Sequence, residues 1–162
     1  MIKIELTQGK FALIDDEDFE LISRYKWYFS KLSLNYGRVV TRCKKKVKNI
    51  KMHRLIMNAP DFFEVDHING NTLDNRKINL RLVTHSQNQK NMKTHKDNKS
   101  GYKGVSWHKK AKKWQVHIKL NNKKGYLGLF LTKEEGALAY NKAALKHFGE
   151  FARLNEIKYL RI

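Results

Sequence analysis

One cysteine, Cys43, stands in a chain of 162 residues. A disulfide framework needs pairs and a paired-cysteine zinc site needs two thiolates, so neither can be built within this chain. No apolar run approaches the roughly 20 residues that span a bilayer, and no basic patch followed by an apolar signal region opens the N-terminus. The expectation is a soluble, intracellular protein with no membrane partner. Carboxylates are scarce in one region in particular: from Lys90 to Lys124 only Asp97 is acidic, whereas Glu5, Asp15, Asp16, Glu17, Asp18 and Glu20 crowd the first segment.

Positive charge is abundant: 34 Lys and Arg against 15 Asp and Glu, a formal net charge of +19. Such an excess repels itself and concentrates polyanions, which makes nucleic acid the leading partner and an anionic membrane surface the second. The acid-poor second half should carry the phosphate-contacting surface, and no small-molecule substrate is evident. The 41% of hydrophobic residues suffices for one ordinary domain or two small ones.

Ile2 to Leu6 and Phe11 to Ile14 flank Gly9 as a hairpin, and a helix starts near Asp15 or Asp16, with carboxylates where the helix dipole favours them. That helix should turn Phe19, Ile22 and Trp27 inward. Trp27 to Phe29, Tyr36 to Thr41 and Val47 to Met52 read as further strands, with an exposed lysine turn at Lys44 to Lys46. His53 opens a short helix and, with Arg54, lies near enough to the next stretch to approach a substrate.

Phe62 to His67 is a strand, Asn69-Gly70 a tight turn tolerant of positive φ, and Leu80 to Val83 the returning strand. Thr84-His85-Ser86-Gln87 is a capping-box pattern, so a helix begins at about His85 with Asn88 in its first turn. Strand, loop, strand and helix then present Asp66 and His67 on one side and Asn88 on the other. Phosphodiester hydrolysis requires a base for the attacking water and a counter-charge on the phosphate. A neutral histidine supplies the first, and a hard divalent cation on oxygen ligands such as Asp66 and Asn88 supplies the second. On a regular strand His67 and Asp66 point to opposite sides, so a bulge or the start of the turn must bring them together. Asp74-Asn75-Arg76 folds the loop through Asx-type bonds and places Arg76 near a phosphate.

Asp-His-Ile-Asn-Gly-Asn, Leu-Asp-Asn-Arg, Asn-Leu-Arg and Ser-Gln-Asn stand here in the order of the HNH endonucleases, and the segment from His53 to about Asn91 resembles that family in its ββα-metal form, specifically the homing endonucleases of phages and mobile introns. The resemblance implies that Asp66 and Asn88 hold one divalent metal ion, Mg²⁺ or alternatively Mn²⁺. It makes His67 the general base and has Asn79 brace the loop and orient the histidine. The last position is asparagine, an H-N-N variant. The implied setting is the cytoplasm of a bacterial host or phage-infected cell.

Beyond a linker at 92–100 the pattern changes. Tyr102 to Trp107, Trp114 to Leu120 and Gly125 to Phe130 read as three strands, with a turn at Asn121 to Lys124. Thr132 caps a helix whose apolar side is Leu138, Ala139, Ala143 and Leu145. Trp107 and Trp114 are assigned to the core, and Gly136 should cost the helix about 1 kcal/mol. Alternation puts Gln115, His117 and Lys119 on an uncovered sheet face. Tyr-Lys-Gly-Val, Tyr-Leu-Gly-Leu-Phe, Thr-Lys-Glu-Glu, Ala-Tyr-Asn-Lys-Ala-Ala and Phe-Gly-Glu-Phe-Ala-Arg-Leu-Asn make the segment from Ser100 to Asn155 resemble the ethylene-response-factor (APETALA-type) DNA-binding domain. That implies DNA contacts from Lys103, Lys119, Lys124 and Tyr126, with lysine where the family uses arginine.

The sequence therefore predicts an α+β protein with a sheet module and nuclease core over 1–91 (HNH part about 53–91), a linker at 92–100, and a three-stranded sheet with one helix over 101–162. The activity predicted is metal-dependent endonucleolysis of double-stranded DNA, nicking as a monomer or acting as a DNA-assembled dimer. The DNA-facing residues are His53, Arg54, Arg76, Lys103, Gln115, His117, Lys119, Lys124 and Tyr126. A non-enzymatic DNA-binding regulator with a degenerate HNH module is the alternative from another class, and an RNA-binding protein survives on charge alone.

Overall fold

In the computed structural model, residues 34, 35, 43–48, 93, 95, 96, 121, 122 and 158–162 are not described. Cys43, the Lys44 to Lys46 turn and the Asn121-Asn122 part of the later turn lie outside the described residues. Small antiparallel sheets and helices alternate in an α+β architecture, in two compact units, Met1–Asn88 and Gln89–Ile162. No helix among the described residues is long and apolar enough to cross a membrane.

The first unit opens with a hairpin of β1 (Ile2–Glu5) and β2 (Phe11–Ile14), in register Ile2↔Ile14 and Glu5↔Phe11. Its turn closes with Gln8 and Gly9 both at positive φ. The acidic cluster folds as a 3-10 turn, Asp16–Asp18, before α1 (Phe19–Ser23). Ile22 and Trp27 are buried as expected, but Phe19 is exposed, because so short a helix turns only one residue fully inward. The Trp27 indole N–H donates to Ile22 O at 2.8 Å, which gives the buried indole its partner at a carbonyl that also accepts from Tyr25 N at 3.2 Å. β3 (Tyr28–Ser33), β4 (Tyr36–Arg42) and β5 (Asn49–Lys51) form a meander, followed by α2 (Met52–Ile56).

β6 (Glu64–His67) pairs with β7 (Leu80–Val83), and α3 (His85–Asn91) follows. Thr84 and Gln87 exchange the two capping-box bonds. Val65 and Leu80 from this hairpin share one core with Ile14, Ile22, Trp27, Val39, Met52 and Ile56. Burying each such side chain is worth about 1.5–3 kcal/mol, so hairpin and meander stabilise each other. β2 is further joined to the loop between β6 and β7. Leu13 N donates to Leu73 O and Asn75 N to Leu13 O, both at 2.8 Å, and Lys77 reaches Asp15, Glu17 and Asp18.

In the second unit β8 (Val105–His108), β9 (Lys113–Leu120) and β10 (Lys123–Phe130) form an antiparallel sheet with β9 central, covered on one face by α4 (Lys133–Phe148). A bulge between Tyr126 and Gly128 lets Gly128 continue opposite Val116. Thr132 and Glu135 form the expected capping box. The helix is rotated from the face expected for it: Gly136, Ala137, Tyr140 and Ala144 are buried, while Leu138 and Leu145 are exposed. Small residues win this face because they let the helix approach the sheet closely. A Cβ on Gly136 would lie 2.9 Å from Val116 Cγ2. Trp114 packs against the core, whereas Trp107 is 47% exposed on edge strand β8 and meets Trp114 edge-on at 5.1 Å.

Candidate active site

β6 carries Glu64, Val65, Asp66 and His67 in unbroken register, opposite Val83, Leu82, Arg81 and Leu80. The bulge anticipated between Asp66 and His67 is absent from this pairing, and the pleat sends the two side chains to opposite faces. Asp66 lies against Arg81, its cross-strand partner, with Arg81 Nη2 at 2.9 Å and Nε at 3.1 Å from the same carboxylate oxygen. His67, 6% exposed, meets the ring of His53 edge-on at 5.0 Å.

The imidazole of His67 lies 3.4 Å, through Nε2, from Oδ1 of Asn75, which is fully buried. Burial pulls the His67 pKa below the ordinary histidine value, outweighing the Asn75 contact and the charges of Asp66 and Asp74, which raise it. His53 is pushed further, to about 3, first by burial and then by His67 and Lys51. Its Nδ1 is buried and has no hydrogen-bond partner among the described residues. Both rings are therefore neutral at neutral pH, and His67 can accept a proton.

Asn79 ties the loop together. Its Oδ1 accepts from Asn69 N at 3.0 Å, its Nδ2 donates to Asp74 O at 2.8 Å, and its carbonyl accepts from Ile68 N at 2.9 Å. Asn69 and Asn71 add Asx bonds, to Asn71 N at 2.7 Å and Leu73 N at 3.1 Å. The amide at the histidine ring is Asn75, a residue whose sequence pattern predicts only loop folding.

Asn88, on the capped helix, donates from Nδ2 to Glu64 Oε2 at 2.5 Å, and the other Glu64 oxygen is 2.7 Å from His85 Nδ1. Those contacts, His85 first and Asn88 second, hold the Glu64 carboxyl below its ordinary range. A cleft of about 260 Å³ collects Glu64, His67, Asn88 and His53, together with Arg38 and Lys51 from the meander. Asp66 does not line it. The structure thus brings His67 and Asn88 to one cleft and turns Asp66 to Arg81, and the carboxylate beside Asn88 is Glu64. The sequence signal for Glu64 was its place two residues before Asp66; nothing in the sequence marked Arg38 or Lys51.

Three of the residues expected to face DNA are spent on the protein itself. Arg54 donates to Phe63 O at 2.6 Å, Pro60 O at 2.9 Å and Ala59 O at 3.0 Å, closing the loop after α2. Arg76 forks onto Asp74 with two contacts of 2.7 Å. Lys103 donates to Lys90 O at 2.6 Å and Met92 O at 2.8 Å, and burial pulls its pKa down to about 8. Gln115, His117, Lys119, Lys124 and Tyr126 share the sheet face away from α4, where Lys119 opposes Lys124 and His117 opposes Tyr126 with rings 5.4 Å apart.

The HNH endonuclease family profile matches residues 52–90, which span this hairpin, loop and helix. An uncharacterised HNH endonuclease of Acanthamoeba polyphaga mimivirus is 30% identical over 162 aligned residues, covering 94% of this chain and 78% of that protein. Protein 3.8 of Escherichia phage T7 is 37% identical over 94 residues, 58% of this chain and 77% of that protein. No solved structure matches the chain.

Proposed function

The chain belongs to the HNH endonuclease family, and from that premise we propose that it is a metal-dependent DNA endonuclease of homing type, cutting beside His67 and aimed by the basic sheet of its second unit. The observation that carries this reading is a buried histidine, kept neutral, in one cleft with Asn88, Glu64 and the cationic side chains Arg38, Lys51 and Arg54. His67 takes a proton from the attacking water as the new P–O bond forms; the P–O3′ bond breaks and the 3′ oxygen leaves with a proton from solvent. Asn75 holds the ring, and the Asn79 bonds keep the loop from collapsing onto it.

Asp66 and Asn88 are the residues assigned to a divalent cation, with Mg²⁺ first and Mn²⁺ second. Both offer oxygen, the donor that a hard cation prefers, and Glu64 occupies the Asn88 amide nitrogen, which leaves Oδ1 as the atom to offer; Asp66, held by Arg81 off the cleft, would exchange that partner for the ion. When bound, such an ion supplies counter-charge at the phosphate and the leaving oxygen. Glu64 contributes here by fixing which end of the Asn88 amide is available.

In the second unit, the open face of Gln115, His117, Lys119, Lys124 and Tyr126 is proposed to lie along double-stranded DNA in the manner of the ethylene-response-factor sheet. Lysine in place of arginine gives charge without the bidentate fork, so grip exceeds base selectivity. One site per chain acts on one strand, so a monomer nicks, and a double-strand break requires two chains or two visits.

Supercoiled plasmid carrying the cognate site, incubated with the full chain and Mg²⁺ or Mn²⁺, should convert to open circle, and EDTA should stop it. His67→Ala should abolish conversion while retaining DNA binding. A chain that binds duplex DNA but leaves it uncut with either metal is a regulator, and the endonuclease reading falls.

A further inference from the structure

We infer that Arg38 and Lys51, carried by the meander that precedes the nuclease hairpin, form the seat for a phosphodiester group of the bound DNA beside His67. The inference rests on the endonuclease reading above, and it gives β3, β4 and β5 a part in the reaction that no motif assigns to them.

Register places the two cations together. Lys51 on β5 pairs with Val40 on β4, and Arg38 is two residues before Val40, so Arg38 and Lys51 are diagonal neighbours on one sheet face. Both line the cleft that holds His67 and Asn88. Arg54 also lines the cleft, but its guanidinium is held by the Phe63, Pro60 and Ala59 carbonyls, and the nearby Arg76, Lys77 and Arg81 are committed to carboxylates. Among the described residues Arg38 and Lys51 have no such partner. The Arg38 Nε–H is buried and has no hydrogen-bond acceptor among the described residues, a condition that native proteins rarely leave unmet.

Two unpaired cations on a partly dehydrated wall repel each other. Lys51 is pulled below its ordinary pKa by burial first and by Arg38 next. An anion between them removes the repulsion and supplies the missing acceptor. Among the described residues Glu64 is the one acid on this cleft wall; its charge offsets part of the repulsion at Lys51, but both its oxygens are occupied by His85 and Asn88, so a further anion must come from outside. A phosphodiester fits: it carries one negative charge shared by two non-bridging oxygens, and the planar guanidinium fork matches that pair while the ammonium serves as a point charge. As water adds to phosphorus, charge grows on these oxygens, so the same two groups hold the transition state more tightly than the ground state. Free inorganic phosphate has the same chemistry and is separated from DNA by the test.

The full-length parent, Arg38→Ala, Arg38→Lys and Lys51→Met are compared in single-turnover plasmid nicking at saturating protein with Mg²⁺, and in duplex DNA binding by fluorescence anisotropy in EDTA. Arg38→Ala should slow the saturated rate by about 10²–10³-fold and Lys51→Met by about tenfold or more, with Arg38→Lys between them. Their Kd values should stay within about threefold of the parent, because most phosphate contacts lie elsewhere. In parallel, the Arg38 Nε–H resonance of the ¹⁵N-labelled parent is followed during titration with duplex DNA, a thymidine dinucleoside monophosphate and inorganic phosphate. It should shift saturably with the first two, and the shift should be lost in Lys51→Met. Circular dichroism identifies any variant that fails to fold; if Arg38→Ala is one, Arg38→Lys and Lys51→Met decide. Variants that cut at the parent rate overturn the inference and leave the endonuclease reading standing, and so does an Arg38 signal moved by inorganic phosphate alone. A parent that never nicks, but whose Arg38 signal follows DNA, retains the phosphate seat and removes the endonuclease reading.

Discussion

Replacing Gly136 by alanine sets two effects of similar size against each other. Alanine in a helix interior is favoured over glycine by about 1 kcal/mol, so on propensity alone the change should stabilise the second unit. The structure argues the reverse. The new Cβ would stand 2.9 Å from Val116 Cγ2 and 3.4 Å from Val105 Cγ1, and these valines are 0% and 1% exposed. A β-branched side chain in mid-sheet has few rotamers to retreat into, and overpacking of this kind costs about 1–3 kcal/mol. The expected net result is a loss of about 1 kcal/mol, or roughly fivefold faster amide exchange in β9 under conditions where exchange reports unfolding of the unit. Val116→Ala alone should cost about 2 kcal/mol for two lost methyl groups and the space they leave. In that background Gly136→Ala meets no obstruction and should regain about 1 kcal/mol, a coupling near 2 kcal/mol in the double-mutant cycle. Native-state hydrogen exchange of the β9 amides, including His117 N, which donates to Gly104 O at 2.9 Å, measures all four corners on the intact chain. If Gly136→Ala protects these amides in the parent background, the close approach of helix and sheet is not what selects glycine there.

Other outcomes follow from the same geometry. Because burial lowers the His67 pKa from its ordinary 6.5, the base stays deprotonated below that pH, so the saturated nicking rate should persist under pH 6.5 and decline only at more acid values; a half-maximum above 6.5 would contradict the assignment. Lys103 sits near 8 when folded against 10.5 for an ordinary lysine, so between those values the unfolded chain binds the extra proton and stability must rise with pH. Denaturant unfolding read on β9 NMR signals should show that rise, and Lys103→Met should flatten it; an unchanged rise would mean that a group other than Lys103 carries the linkage. Lys119→Ala with Lys124→Ala should lower the slope of log Kd against log salt by about 2, since each exposed lysine releases about one counterion. An unaltered slope would place the DNA on another surface.

Elements set by local pattern were legible in advance: the two capping boxes, the Asn69-Gly70 turn, the Asp66-His67 hairpin and the alternating β9. Their signals are short-range, because a side chain three residues along a helix or two along a strand meets the same surroundings in any fold. What escaped was orientation about an axis and the choice of partner. Leu138 and Leu145 looked like the buried face of α4, yet the distance to Val116 admits only small residues there. Arg54, Arg76 and Lys103 looked free for phosphate, but carbonyls and Asp74 brought close by folding hold them.

By itself, the sequence determined the α+β class, the family of the hairpin and the basic character of the chain, all of which reside in neighbouring residues and in the count of charges. Only the tertiary structure decided that Asn75 meets His67, that Glu64 holds the amide of Asn88, that Asp66 turns to Arg81, and that Arg38 and Lys51 arrive from strands well separated in sequence. Those pairings depend on sheet register and on the core shared by hairpin and meander, where one burial pattern fixes many distant side chains at once.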